Sequence, residues 1–167
     1  MPTVSRSIIA AASVVVAFLV GVPDTTAGAQ QPSHAGGTAL GIVTTVSAAP
    51  FDSTLARLER AITSRGITIA ARVDHAAAAT RANLTLRPTT LVIAGNPAAG
   101  TPLMIADQTM GVELPLRFLV WQGEDGRARV SYDPIKSIAA RHKLSGRDEV
   151  LSRMTGAIEA IVAEATK

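Results

Sequence analysis

The chain has 167 residues, 47% hydrophobic and only 3% aromatic, with no cysteine and a formal net charge of +3. Without cysteine it has no disulfide framework, thiolate nucleophile, sulfur-rich zinc site or lipoprotein-type lipid anchor. Its basic residues are scattered, and the densest group, Arg141-His142-Lys143 with Arg147, lacks the aromatic interleaving of a nucleic-acid surface, so no nucleic-acid partner is expected.

The N-terminus has the three-part pattern of an export signal: Arg6, the uncharged run Ile8 to Val20, and small residues at Ala27-Gly28-Ala29. That run falls short of the roughly 20 residues a membrane span needs. Residues 1–29 are therefore expected to be a secretory signal peptide, cleaved after Ala29. The mature chain is expected to be soluble, with no membrane attachment, in the periplasm or medium. Residues 30–37, QQPSHAGG, have the composition of a flexible linker and contain His34. Residues 38–144 are expected to form one α+β domain, and 145–167 a C-terminal amphipathic helix.

Within the domain, Thr38 to Val46 predicts a strand, and Phe51 to Arg65 a helix with Leu55, Leu58 and Ile62 on one face, capped by Asp52 or Ser53. Alternation over Ile67 to Val73 predicts a half-buried strand, with Asp74 as N-cap of the alanine-rich helix that follows. Thr89 to Ala94 predicts the next strand, and Pro102 to Met110 a short helix. Val112 to Trp121 predicts another strand, with Pro115 at an edge or at its start. Asp125-Gly126 marks a hairpin turn into Ala128, Val130 and Tyr132. Asp133-Pro134 predicts a cap with proline opening a short helix toward His142. From Ser145, the stripe Val150, Leu151, Met154, Ile158, Ile161 and Val162 predicts an amphipathic helix covering a sheet face or a partner subunit. The order predicts an α+β two-layer sandwich whose sheet is mixed or largely antiparallel and covered by helices.

The stretch TLVIAGNPAAGTPLM, Thr90 to Met104, has the glycine spacing of a phosphate-binding loop. Thr101 stands where the lysine would be and Pro102 where the hydroxyl would be, and Pro97 removes an amide, so nucleotide binding is excluded. Two readings remain: a loop whose free helix amides hold an anion, or, favoured on spacing, a self-contained turn closed by Asn96 with Thr101 capping the helix.

The segments IAARVDHAAAA, LTLRPTTLVIAGNPAAGTPLM, VELPLRFLVWQGEDGRARVSYDP and ARHKL, in that order, resemble the domain of unknown function 302 family of small bacterial proteins. The likeness runs from about Val46 to Leu144. Asp74-His75, Gly95-Asn96-Pro97, Gly100-Thr101-Pro102-Leu103-Met104, Leu114-Pro115-Leu116, Tyr132 and His142 stand where the family pattern has them. The resemblance implies an α+β domain that forms homodimers. It leaves activity and any cofactor unknown. Ala98-Ala99 depart from the pattern, since many relatives carry a lysine there.

The polar and glycine residues of that pattern gather at loop ends, giving a candidate ligand site at Asn96, Thr101, Met104, Tyr132, His75 and His142. No catalytic residue is assigned: there is no G-x-S-x-G, no H-E-x-x-H and no cysteine, and nothing in the spacing compels a Ser131-His142-Asp133 triad. The leading expectation is a non-catalytic, exported, homodimeric domain that binds a small ligand. One alternative is a metal-assisted enzyme or metal carrier using His75, His142 and Asp74, although no local metal-ligand spacing exists. Another is a structural or interaction protein contacting its partner through the terminal helix. Met104, Met110 and Met154 fit core packing better than a soft-metal site.

Overall fold

The computed structural model describes residues 41–167. Five strands, β1 (Val43–Val46), β2 (Thr68–Asp74), β3 (Thr89–Gly95), β4 (Leu116–Gln122) and β5 (Ala128–Tyr132), and five helices, α1 (Phe51–Thr63), α2 (His75–Arg81), α3 (Pro97–Ala106), α4 (Ile135–Arg141) and α5 (Asp148–Ala165), follow one another in the order β1-α1-β2-α2-β3-α3-β4-β5-α4-α5. A 3₁₀ turn, Gln108–Val112, follows α3. The strands form one sheet in the order β1-β5-β4-β3-β2, and every neighbouring pair is antiparallel. This is the expected α+β sandwich, with the sheet wholly antiparallel. The expected leader 1–29, the linker 30–37 and the first residues of the expected opening strand lie outside the described residues.

One face of the sheet carries the core because the strands alternate. In β3, Thr90, Val92 and Ala94 are buried, while the residues between them are half-buried. Val92 pairs with Phe118 and Phe118 with Tyr132, so a continuous apolar row crosses three strands on that face. The helices meet it with 3.6-residue stripes: Leu55, Leu58, Ala61 and Ile62 from α1, and Leu151, Ile158, Ile161 and Val162 from α5. Ile135, Ile138 and Ala139 of α4 and Leu103 of α3 complete the cluster. With aromatics scarce, aliphatic packing carries the stability.

Several caps and boundaries differ from those expected, among them the start of the terminal helix, which is Asp148 and not Ser145. Helix α1 has neither Asp52 nor Ser53 as its cap. Pro50 precedes it without a side-chain cap hydrogen bond. Instead the buried Thr54 hydroxyl donates toward the Ala49 and Pro50 carbonyls and meets Ser47 Oγ at 2.7 Å. Helix α3 begins at Pro97, five residues before the expected start, because Asn96 caps it and Pro97 supplies the pre-set φ of a first helical residue. Strand β4 begins at Leu116 because the 3₁₀ turn takes up Gln108–Val112. Pro115, lacking an N–H, stands just outside the ladder, so it marks the start of what is a central strand. Helix α4 has Pro134 as its N-cap residue, with no side-chain cap bond. Asp133 pairs instead with Arg141, 2.6 Å away.

Candidate functional site

The sequence places a glycine-bounded segment between a buried strand and a helix, and the fold makes it one wall of a groove. At the end of β3, Gly95 lets the chain pass close to Pro115: a Cβ at residue 95 would lie 3.0 Å from the proline's Cβ. Asn96 then closes the turn, its Oδ1 accepting from Ala98 N at 2.9 Å. The Asn96 carbonyl accepts from the amides of Ala99 and Gly100, each at 3.0 Å. The first-turn donors are thus satisfied by the turn itself, and the self-contained reading of the loop is the one the geometry bears out. Thr101 is not the cap, since it lies inside α3 with Pro102.

Opposite that wall stands α5, presenting Val150, Arg153, Met154, Ala157, Ile158 and Ile161 at one-turn spacing. Between them the start of β2, the end of β3 and the start of β4 form the floor, with Ala94, Leu116 and Phe118 among its residues. The groove encloses about 750 Å³, within the usual range for small-molecule sites. Its lining is mainly aliphatic, with Asn96, Thr68 and Thr101 as uncharged polar members and Arg65 and Arg153 as the charged ones. None of the residues that line it is acidic. Sequence reading found one wall, but it could not see that α5 supplies the other.

Of the six candidate ligand residues, Asn96, Thr101 and Met104 line this groove, and the other three do not. Tyr132 stands on β5 beside it, its ring 6.2 Å from the groove residue Phe118. Burial, with the negative charge of Glu159 second, pushes the Tyr132 hydroxyl above its ordinary pKa. His75 opens α2 at the end of the edge strand β2. Asp74, its neighbour, is occupied as the N-cap, its Oδ1 accepting from Ala77 N at 2.9 Å.

His142 ends α4 in a separate polar cluster. Its Nδ1 lies 2.9 Å from Thr109 Oγ1 and 3.1 Å from Asp107 Oδ2. The Thr109 hydroxyl gives its one proton to Asp107 Oδ1 at 2.7 Å, so His142 Nδ1 is the donor to this pair. Glu113 approaches Nε2 at 3.7 Å and also binds Arg141 and Arg117. Hydrogen bonds from the Thr109 side chain, its backbone and His142 lower the Asp107 pKa. For Glu113 burial is the largest influence and raises the pKa, but Arg141, Arg117 and His142 outweigh it and the net shift is downward. The cluster pins α4 to the segment after α3.

Ser131 and Asp133 do not join His142 in a triad-like chain. Ser131 Oγ is bonded to Thr44 Oγ1 and Trp121 Nε1, each at 2.8 Å, and Asp133 is bonded to Arg141. Among the described residues, no group of three or more His, Asp or Glu side chains is arranged to hold a metal. Met110 is fully buried in the core, whereas Met104 and Met154 give the groove two adaptable thioether walls.

The family model for Domain of unknown function DUF302 matches residues 42–161. The chain belongs to the DUF302 family. A crystal structure of an uncharacterized conserved DUF302 protein from Bacillus stearothermophilus superposes with a TM-score of 0.69 at 15% identity, covering 77% of this chain and 100% of that one. The shared DUF302 fold is thereby established. Among curated proteins, the chain is similar to the fluoride-specific ion channel FluC 1 of Brucella suis biovar 1 (strain 1330), 37% identical over 110 residues. It is equally similar to FluC 1 of Brucella abortus biovar 1 (strain 9-941), again 37% over 110 residues. The match takes in 66% of this chain but only 43% and 41% of those proteins, so the DUF302 chain spans less than half the length of these relatives.

Proposed function

We propose that this DUF302 chain is an exported, non-catalytic domain that holds a small ligand in the groove between α3 and α5. The observation that carries the reading is the groove itself: about 750 Å³, mainly aliphatic, and walled by the Gly95 to Met104 segment. Export rests on the leader-like N-terminal pattern. Among the described residues, no acid, base and nucleophile lie in mutual reach at the groove, which supports a binding role. Fluorescence titration with Nile red, a neutral apolar dye, tests it. The full chain is expected to bind one dye per copy, and Ala157→Trp, which fills the groove from α5, is expected to lower affinity at least tenfold while the unfolding midpoint holds. Unchanged binding in that variant would remove the groove from the proposal.

The same reading includes a homodimer. It is supported by apolar residues on the sheet's other face and at its margin: Val73 is paired across from Leu91, and Leu91 from Leu119, while Val73, Leu84 and Leu86 are exposed. Sedimentation equilibrium is expected to give two copies, dissociated by Val73→Asp. A monomer at micromolar concentration retires the dimer.

The Brucella relatives favour a second reading. They are named fluoride-specific ion channels, and the matched region is less than half of each. Among the described residues here, no helix is long and apolar enough to cross a membrane. A domain of this kind would then serve beside a channel and not as its pore. Cells deleted for this chain are expected to become fluoride-sensitive under that reading, and unaltered tolerance would dismiss it.

A further inference from the structure

We infer that the ligand of this groove is a single-chain amphiphile: one unbranched acyl or alkyl tail ending in an anionic head group. The inference rests on the ligand-binding reading above and adds the chemical class. Two observations point to it together. The first is the aliphatic interior, where Leu114, Leu116, Phe118, Ile158 and the thioethers of Met104 and Met154 offer a tail dispersion contacts and no hydrogen-bonding partners. A polar ligand buried there would lose its water without replacement.

The second observation is the charge asymmetry of the lining. Both charged lining residues are arginines and none is a carboxylate. The two arginines differ in how far they are engaged. Arg65 is held by the Ala61 carbonyl at 2.8 Å and by Glu164 at 2.9 Å. Among the described residues Arg153 meets only Glu149, at 3.9 Å, and its side chain is 71% exposed. Its guanidinium, on a flexible stem, is therefore open to a two-oxygen anion of the carboxylate or phosphate type. The amides at the start of α3 do not compete for that head, because Asn96 already accepts them. The tail thus lies along α5 and the head meets Arg153 where the groove opens to water. Carboxylate and phosphate heads share this chemistry.

Isothermal titration of the full chain, as cells process it, with laurate, dodecyl phosphate and dodecan-1-ol tests the class. Laurate or dodecyl phosphate is expected to bind one per copy, roughly three- to tenfold more tightly than the alcohol, as one partly exposed charge pair allows. Binding of only one of the two anions supports the proposal and names the head group's source. Arg153→Gln is expected to abolish the preference for charge, so that the anions and dodecan-1-ol bind alike, a pattern that loss of folding would not produce. Shortening laurate to decanoate is expected to weaken binding by about tenfold, near the value for two buried methylenes. Equal affinity for anion and alcohol, with Arg153→Gln silent, overturns the head-group class and leaves the groove reading standing. Failure of all three ligands, with Nile red still bound and displaced by Ala157→Trp, overturns the amphiphile alone. Failure of the dye as well removes both.

Discussion

Asp125 illustrates how a residue read as a turn signal acquires a second task from the register. With Gly126 at φ +75°, it makes the tight turn between β4 and β5. Its carboxylate also receives both terminal nitrogens of Arg129, each at 2.8 Å, while that guanidinium lies 5.2 Å from the Trp121 ring centroid. The Arg129 hydrogen bonds first, and the Arg127 amide second, lower the Asp125 pKa from 3.8 to about 2. Because the folded-state value is depressed, the pairing stabilises the fold fully above the unfolded pKa and is lost as pH falls through about 2. Asp125→Asn is therefore expected to be less stable than the parent at neutral pH, with the difference shrinking between pH 4 and pH 2. Urea midpoints for both chains at pH 7, 4 and 2 check this, and a gap that persists at pH 2 contradicts it. The Asp-Gly turn was legible in the sequence. The pairing was not, because Arg129 reaches back only once the hairpin's register is set.

At the scale of elements, strongly periodic segments were legible and the glycine-proline segment was not. The α1 and α5 stripes, the alternation in β3 and the Asp74 cap of α2 follow from spacing that tertiary contacts reinforce. In α3, Gly100 read as the end of a loop and Pro102 as the first residue of a helix, yet both lie within the helix. Gly100 is buried there, and a Cβ at that position would come 3.4 Å from Leu114 Cδ1, so the glycine serves packing against the segment ahead of β4. Pro102 lies inside the helix, where its missing N–H removes one intrahelical hydrogen bond. The start of α3 then rests on Asn96. Asn96→Ala is expected to cost about 1 kcal/mol, the usual value of an N-cap, and to loosen the groove wall, since Ala98 N loses its acceptor. Chemical denaturation gives the first number and Nile red affinity the second. A variant as stable as the parent would mean that Pro97 alone fixes the turn. Half of the candidate site was visible for the same reason: Asn96, Thr101 and Met104 are sequence neighbours, whereas α5 reaches the groove from some 50 residues further along. His75 and His142 share a family pattern with the loop, and pattern does not report distance.

At the scale of the whole molecule, α5 belongs to the core that the sheet and α1 begin. Its Ile158, Ile161, Val162 and Ala165 are buried with Leu58, Ile62 and Val92. Its end is tied to the first half of the chain, because Ala48 N donates to the Thr166 carbonyl at 2.9 Å and Arg65 binds Glu164 at 2.9 Å. Three large aliphatic side chains at roughly 1.5–3 kcal/mol each come to about 5–9 kcal/mol, comparable with the entire stability of an ordinary domain. A chain ending at Leu144 would also expose the apolar face of α1 and lose one groove wall. Such a truncation is expected to show no cooperative thermal transition by circular dichroism and no Nile red binding. If it melted cooperatively and only the dye binding disappeared, the sheet with α1 and α4 would be a self-sufficient unit and α5 a detachable cover over the ligand. The buried C-terminal half of α5 argues for the first outcome: the helix that completes the groove is also the one that completes the core, so folding and ligand binding depend on the same element.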